Sequence, residues 1–327
     1  MKKHSGAIAS GEVLNAQYQI LKILGAGGFG ITYQAYDIKS KVKVAIKEYF
    51  PSSLVYRLKN SKNIAINSPK DKKTFEWGLS SFIKEAQILA KLNHKNIVNI
   101  DDFFEENNTA YFVMPYVVGI SLGEYINRTE TFSEIQIYNI IMPILEGLKE
   151  VHENGILHRD IKPDNILICK NKAPLLLDFG AAKDSIGKQI DSSKMIVSPP
   201  FTPVEQYGNS EIDAPYTDIY AVGMVLYVLM TKKDSRTIPT SIDRSLNGEK
   251  LEYPADLEDR YSTILIHAMK QSLEVEYQKR PQDIDEMISL MLESPSSQKT
   301  LIPWMLISIV TPVSAIVTFS LFKYLGE

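Results

Sequence analysis

LGAGGFGITYQAYD, Leu24 to Asp37, sets four glycines among the six positions from Gly25 to Gly30. Glycine costs backbone entropy on folding and adds nothing to a core, so the cluster needs a reason: a backbone pressed against a ligand, or a loose surface turn. Gly25, Gly27 and Gly30 fit G-x-G-x-x-G, a spacing that by itself also suits a dinucleotide-binding βαβ unit. In that unit the glycines open a helix. Here they are followed by ITYQAYD, whose β-branched and aromatic residues read as a strand, and then by a turn and another strand-like run, VKVAIKEYF. A strand-loop-strand hairpin of this kind can fold over a nucleotide's phosphates with its N–H groups facing them.

Three further stretches settle the choice. VAIK (Val44 to Lys47) places Lys47 17 residues beyond Gly30 on a predicted strand, HRDIKPDN (His158 to Asn165) follows in the second half, and DFG (Asp178 to Gly180) begins 18 residues after Asp160. Each alone has an ordinary explanation: a surface lysine, a turn, a capped loop. Together and in this order they are the protein-kinase signature. From about Tyr18 to Leu292 the sequence resembles the eukaryotic-type (Hanks-type) serine/threonine protein kinases, and GGFGITY, VAIKEYFP, LLDFGAA and PVEQY are most similar in wording to the bacterial branch.

The resemblance implies an α+β, two-lobed protein kinase-like fold, with ATP and Mg²⁺ (Mn²⁺ as an alternative ion) bound between a β-rich N-lobe and a helical C-lobe. Phosphoryl transfer asks the protein mainly to position the γ-phosphate and neutralise its charge. By resemblance Lys47 holds the α- and β-phosphates and pairs with a glutamate on the one N-lobe helix, Glu85 rather than its competitor Glu76. Asp160 accepts the substrate hydroxyl's proton, Lys162 contacts the transferring phosphate, and Asn165 and Asp178 hold the metal. Ser198, seven residues before Glu205, falls where the family keeps a Ser or Thr bonded to the catalytic Asp and Lys. The nucleotide site is implied to comprise Leu24, the loop Gly25, Ala26, Gly27, Gly28, Phe29 and Gly30, then Ile31, Thr32, Ala45, Met114 as gatekeeper, Val117 in the hinge, and Leu167. Phe29, at the loop tip, is expected to help keep water out.

The sequence departs from the family pattern in four places. Thr32 replaces the usual Val, and Pro115 a common acidic hinge residue; neither argues against ATP, since the first hinge position needs only its C=O. Pro203-Val204-Glu205 shifts the proline of AlaProGlu, while Glu205 keeps its expected buried partner, Arg280. The interval from Lys47 to Glu85 is 38 residues, longer than is usual, and EYFPSSLVYRLKNSKNIAINSPKDKK holds an extra hairpin, a partner-binding surface or a disordered insertion. Asp218, in TDIYAVGMVLYVL, matches a family Asp that braces the catalytic loop.

Strand-like pieces fill Tyr18 to Val117, interrupted by one helical pattern in which Phe82, Ala86, Leu89 and Ala90 recur at helical spacing. Helices dominate afterwards, among them IQIYNIIMPILEGLKEVHENG with its Gly155 stop signal. The organisation is therefore an N-terminal extension (1–17), N-lobe (18–117), C-lobe (118–292), linker (293–300), a hydrophobic span (301–322) and a tail (323–327). Leu301 to Phe322 is 22 residues without a charge, roughly 33 Å as a helix, which predicts a transmembrane anchor kinked at Pro312. The expected location is single-pass in a membrane, the bacterial inner membrane, with the kinase lobes cytoplasmic because they need ATP. The N-terminus lacks the apolar run of a secretory signal.

Composition excludes little but is consistent: 44% hydrophobic, 23% charged and net charge −3 give no basic surplus for nucleic acid. The single cysteine, Cys169, reads as a buried strand residue in a reducing compartment. The five histidines form no zinc-ligand pattern. The activation segment offers Ser185, Ser192, Ser193 and Ser198; Ser192 and Ser193 are the candidate phosphosites, with Arg159 placed to pair a phosphate and a homodimer as the vehicle for trans-autophosphorylation. Protein substrates are the expected partners. Two rivals differ in class. A pseudokinase scaffold predicts loss of one of Lys47, Asp160, Asn165 or Asp178, all present, and a small-molecule phosphotransferase of related fold typically lacks Arg159, Lys162 and the Glu205–Arg280 pair.

Overall fold

A computed structural model describes residues 6–179, 198–207 and 214–292. The span Leu301 to Phe322 and the candidate phosphosites Ser192 and Ser193 lie outside the described residues. Among the described residues no helix is long and apolar enough to cross a membrane.

The small lobe is an antiparallel sheet whose strands β1 (Val13–Leu14), β2 (Tyr18–Ala26), β3 (Gly30–Asp37), β4 (Val42–Tyr49), β7 (Asp102–Glu106) and β8 (Thr109–Pro115) lie in the order β1-β2-β3-β4-β8-β7. The sheet thus begins before Tyr18: Leu14 pairs with Tyr18, and Ile8 and Leu14 are buried in the core, so part of the N-terminal extension belongs to this lobe. Two-residue alternation assigns the faces. In β3 and β4, Thr32 lies opposite Lys47 and Gln34 opposite Ala45, while β8 brings Phe112 beside Lys47 and Met114 beside Ala45. Ile31, Tyr33, Ile46 and Glu48 alternate with these and are buried.

The interval from Lys47 to Glu85 is ordered. It forms a hairpin of β5 (Val55–Arg57) and β6 (Ile64–Ile66), then helix α1 (Lys72–Leu89). On α1, Phe75, Phe82, Ala86 and Leu89 are buried, whereas Ala90 is an exposed cap. Tyr49, at the end of β4, fixes the helix to the sheet: its hydroxyl donates to the Phe75 carbonyl at 3.2 Å, and its ring lies 5.3 Å from Phe75 and 5.6 Å from Phe82.

The large lobe begins with β9 (Gly119–Ser121) and α2 (Leu122–Arg128), followed by α3 (Glu134–Glu153). Ser133 and Gln136 form a reciprocal capping box at the start of α3, and Gly155 follows its end at φ +72°, a conformation that favours glycine. Strands β10 (Ile166–Cys169) and β11 (Pro174–Leu176) pair with β9 as β11-β10-β9. Cys169 is half-buried at the strand's end rather than in the core. Helix α4 (Pro215–Thr231) is buried from Tyr216 to Met230 and forms the lobe's centre, as its all-round apolar sequence requires. Helices α3, α7 (Thr263–Ser272) and α8 (Ile284–Leu292) pack against it, α5 (Ser241–Leu246) reaches it through Arg244 and Tyr220, and α6 (Leu257–Arg260) lies between α5 and α7 in sequence.

Candidate active site

A cavity of about 430 Å³ opens where the glycine loop meets the catalytic loop. Its lining includes Gly25 to Gly30, Thr32 and Lys47 from the sheet, Phe82 from α1, Asp160, Lys162, Asp164 and Asn165, and Asp178, Phe179 and Ser198. Four well-separated motifs of the sequence therefore meet at one place. Leu24, half-buried Val117 and Leu167, and buried Ala45 and Met114 are not among the lining residues; the cavity is the phosphate end of the predicted site. Ile31 is buried at 2% exposure, on the opposite face of β3 from Thr32, so its side chain serves the core and not the cleft.

Asp160 is held from three sides. Ser198 Oγ donates to Oδ1 at 2.8 Å, Lys162 Nζ to Oδ2 at 2.9 Å and Asn165 Nδ2 to Oδ2 at 3.0 Å; Lys162 also reaches Ser198 Oγ at 3.0 Å. The Asn165 amide gives a second bond to the Asp160 carbonyl at 2.7 Å. With its nitrogen so engaged, Oδ1 is the atom it can offer a hard cation, and the Asp178 carboxylate lines the same cavity. Oxygen donors of this kind suit Mg²⁺ or Mn²⁺, which take most of their coordination from phosphates and water.

Lys47 Nζ lies 3.2 Å from Asp178 Oδ1. Burial would lower the lysine's pKa, but the charges of Asp178 and Glu85 outweigh it and hold it above its ordinary value. Asp178 acts through both charge and a hydrogen bond, Glu85 through charge. Glu85 is 3% exposed, whereas its competitor Glu76 is exposed and sits 3.8 Å from Lys72 on the same helix. Phe82, one turn before Glu85, stacks on Phe112 at 4.7 Å, and Lys47 lies over the Phe112 ring at 5.5 Å. Sequence periodicity marks Phe82 as a core residue; that it also walls the cavity depends on how α1 docks.

The glycines do different work. A Cβ on Gly30 would fall 2.6 Å from the Glu48 carbonyl oxygen, so glycine is required there by the neighbouring strand; at Gly25 and Gly27 a Cβ would meet nothing within 4 Å. The loop closes through Gly27 N–H to Gly30 O at 2.9 Å, and the carbonyls of Gly28 and Phe29 accept from Ser52 (3.1 Å) and Phe50 (2.9 Å).

With this geometry in place, similarity to known proteins is unambiguous. The protein kinase domain family matches residues 18–299. The chain belongs to the protein kinase family. It is 30% identical over 282 residues to serine/threonine-protein kinase D of Synechocystis sp., covering 83% of this chain and 51% of that protein. It is 32% identical over 245 residues to serine/threonine-protein kinase PrkC of Bacillus subtilis, covering 75% and 35%. It thus spans about a third to a half of the length of these relatives. Among solved structures, the apo form of PpkA-294 matches with TM-score 0.76 and 36% identity, over 88% of this chain and all of that one.

Beneath the kinase cavity, two buried carboxylates set the scaffold. Asp218, at the start of α4, accepts the backbone N–H groups of His158 and Arg159 at 2.8 Å each and lies 2.8 Å from His152 Nε2. Burial would raise its pKa, but the His152 bond and the Arg159 N–H keep it below the usual carboxylate range. These bonds hold Arg159 at φ +63°, in the left-handed region; Asp178 is at +55°. Non-glycine residues there are held by their surroundings. His158 is fully buried, 2.8 Å from the Leu177 carbonyl and 4.4 Å from the Phe179 ring, and burial pushes its pKa down. Its Nδ1 accepts the Asp160 N–H at 3.3 Å, which places the proton on Nε2.

The Glu205–Arg280 pair is bidentate at 2.6 and 3.1 Å. Arg280 spends its other donors on the carbonyls of Glu274, Val275 and Tyr216 and stacks over Tyr220. Among the described residues, no group of three His, Cys, Asp or Glu is placed to hold a metal by itself.

Proposed function

We propose that this chain is a membrane-anchored serine/threonine protein kinase, transferring the ATP γ-phosphoryl group to Ser or Thr hydroxyls of proteins. The observation that carries the reading is the three-way contact of Asp160, Lys162 and Ser198 in the cavity that also contains Lys47 and Asp178. In the reaction the substrate hydroxyl oxygen attacks the γ-phosphorus, the bond from that phosphorus to the bridging oxygen breaks, ADP leaves, and the hydroxyl proton passes to Asp160. Donors on both Asp160 oxygens fix its orientation, so the base is pre-positioned. Lys162 supplies positive charge to the group in transfer, and Lys47 to the α- and β-phosphates. Asn165 and Asp178 would hold Mg²⁺ or Mn²⁺, which when bound neutralises phosphate charge.

The uncharged stretch Leu301 to Phe322 supports anchoring in a membrane, the bacterial inner membrane, with the catalytic lobes on the ATP-containing side. Ser192 and Ser193 are the proposed autophosphorylation sites, modified in trans within a homodimer, with Arg159 as the phosphate's partner.

Incubating the full chain and Asp160→Ala with γ-labelled ATP, a generic protein substrate and a panel of small alcohols tests the activity. Label in protein from wild type only supports the reading; equal incorporation by the two chains refutes it. Carbonate washing of membranes tests the anchor. The full chain should stay bound while a chain ending at Leu292 is released, and release of both would reject anchoring.

A further inference from the structure

Lys47 and Glu48 are neighbours on β4 that point to opposite faces of the sheet. Lys47 lines the phosphate cavity; Glu48 is completely buried behind it. Both Glu48 oxygens are taken: Tyr111 donates to Oε1 at 2.8 Å, and Tyr33 and Arg57 donate to Oε2 at 2.7 and 2.6 Å. These donors come from β8, β3 and the inserted hairpin. The two strands that flank β4 are therefore tied to it one residue after Lys47, from the rear.

The insertion completes this arrangement. Arg57 is the one cation among the three donors, and its remaining nitrogens bond the carbonyls of Gly6 and Lys62. Burial would lower the guanidinium's pKa, but Glu48's charge and hydrogen bond hold it raised. Burial, then Glu48's charge, push the phenols of Tyr33 and Tyr111 up, so both remain donors at any physiological pH. The start of the same insertion binds the glycine loop through Phe50 and Ser52.

We propose that Glu48 is a positioning residue for Lys47, and that the Lys47–Glu85 insertion supplies, through Arg57, the counter-charge that lets this rear anchor exist. The proposal rests on the reading of Lys47 as the phosphate-binding lysine. A buried carboxylate with three donors from three elements has one well-defined position, and the adjacent Lys47 inherits it.

The test uses the full chain and three variants, Tyr33→Phe, Tyr111→Phe and Glu48→Gln, which alter the bonding of Glu48 with little change in volume; the two Phe variants also remove the acceptor of the Ile8 N–H and of the Asn107 amide, respectively. Arg57→Met is added as the counter-charge deletion, though it can also impair folding. Each folded variant is read three ways: thermal midpoint, Mg·ATP dissociation constant, and the rate at which an amine-acylating reagent labels Lys47 relative to other lysines, quantified by mass spectrometry. The expected result is a change of about 2- to 30-fold in Lys47 labelling and in ATP affinity, with the labelling of remote lysines unchanged. The KM for ATP should rise with it, while the KM for the protein substrate holds. Folded variants with wild-type Lys47 labelling and ATP affinity, whatever their thermal midpoint, would overturn the proposal and leave Glu48 as scaffold. Failure of the kinase reading looks different: the wild type would transfer no phosphate to protein, yet the labelling comparison would still report on whether Glu48 positions Lys47.

Discussion

Ser198 and Asp160, 38 residues apart in sequence, meet through a hydrogen bond of 2.8 Å from the serine hydroxyl to the aspartate Oδ1. Because Lys162 also bonds both residues, Ser198 orients the proposed base and its neighbouring cation together. Ser198→Ala should lower kcat about tenfold, the value of one hydrogen bond to a charged group. Ser198→Thr keeps the hydroxyl and should retain most activity. Asp160→Ala should cost about 10²- to 10⁴-fold. Steady-state kinetics at saturating ATP checks all three, and an unimpaired Ser198→Ala would remove the serine from the site.

The glycine loop gives a second contrast. Gly30→Ala places a methyl group 2.6 Å from the Glu48 carbonyl oxygen, a backbone atom that cannot swing aside, and should destabilise the protein by about 1–3 kcal/mol. Gly27→Ala enters open space and should leave the unfolding midpoint unchanged while weakening ATP binding, because Gly27 lines the cavity. Urea unfolding beside ATP titration separates the two effects.

Arg280→Met leaves Glu205 buried without its counter-charge and should lower stability by about 3–5 kcal/mol. Arg280→Lys retains the charge but cannot span both carboxylate oxygens or the three carbonyls, and should recover only part of the loss. Denaturant midpoints at constant m-value are the measurement.

His158 carries a pH dependence. Its folded pKa lies below the ordinary 6.5, so below pH 6.5 the unfolded chain binds the proton more readily than the folded one. Stability from this residue is complete above pH 6.5 and falls as the pH drops through the folded value. The thermal midpoint of the wild type should therefore decline from pH 6.5 downward. His158→Gln should be less stable at neutral pH and show a flatter profile; an equally steep profile in the variant would assign the dependence elsewhere.

The kinase motifs were legible because each is a local pattern with its own chemistry. Glycine spacing followed by a strand, a lysine on the next strand, and HRDIKPDN and DFG in order identify family, fold and the residues at the phosphate end. The helix stop at Gly155 was readable too, since such a signal acts through neighbours in sequence; the start at Ser133, with its capping box, came from the structure. Glu85 over Glu76 needed burial as well as wording: only one of the two faces the interior.

What tertiary structure decided is what depends on distant partners. The sequence left the insertion open between a hairpin, a partner surface and disorder, because nothing local to Arg57 points to Glu48. That hydrogen bond and those from Tyr33 and Tyr111 form only once β3, β4, β8 and the hairpin are assembled. For the same reason Ile31 turns to the core, Val13 and Leu14 extend the sheet, and Gly30 is required by a neighbouring carbonyl. Periodicity records which residues share a face; only packing says which face, and against what.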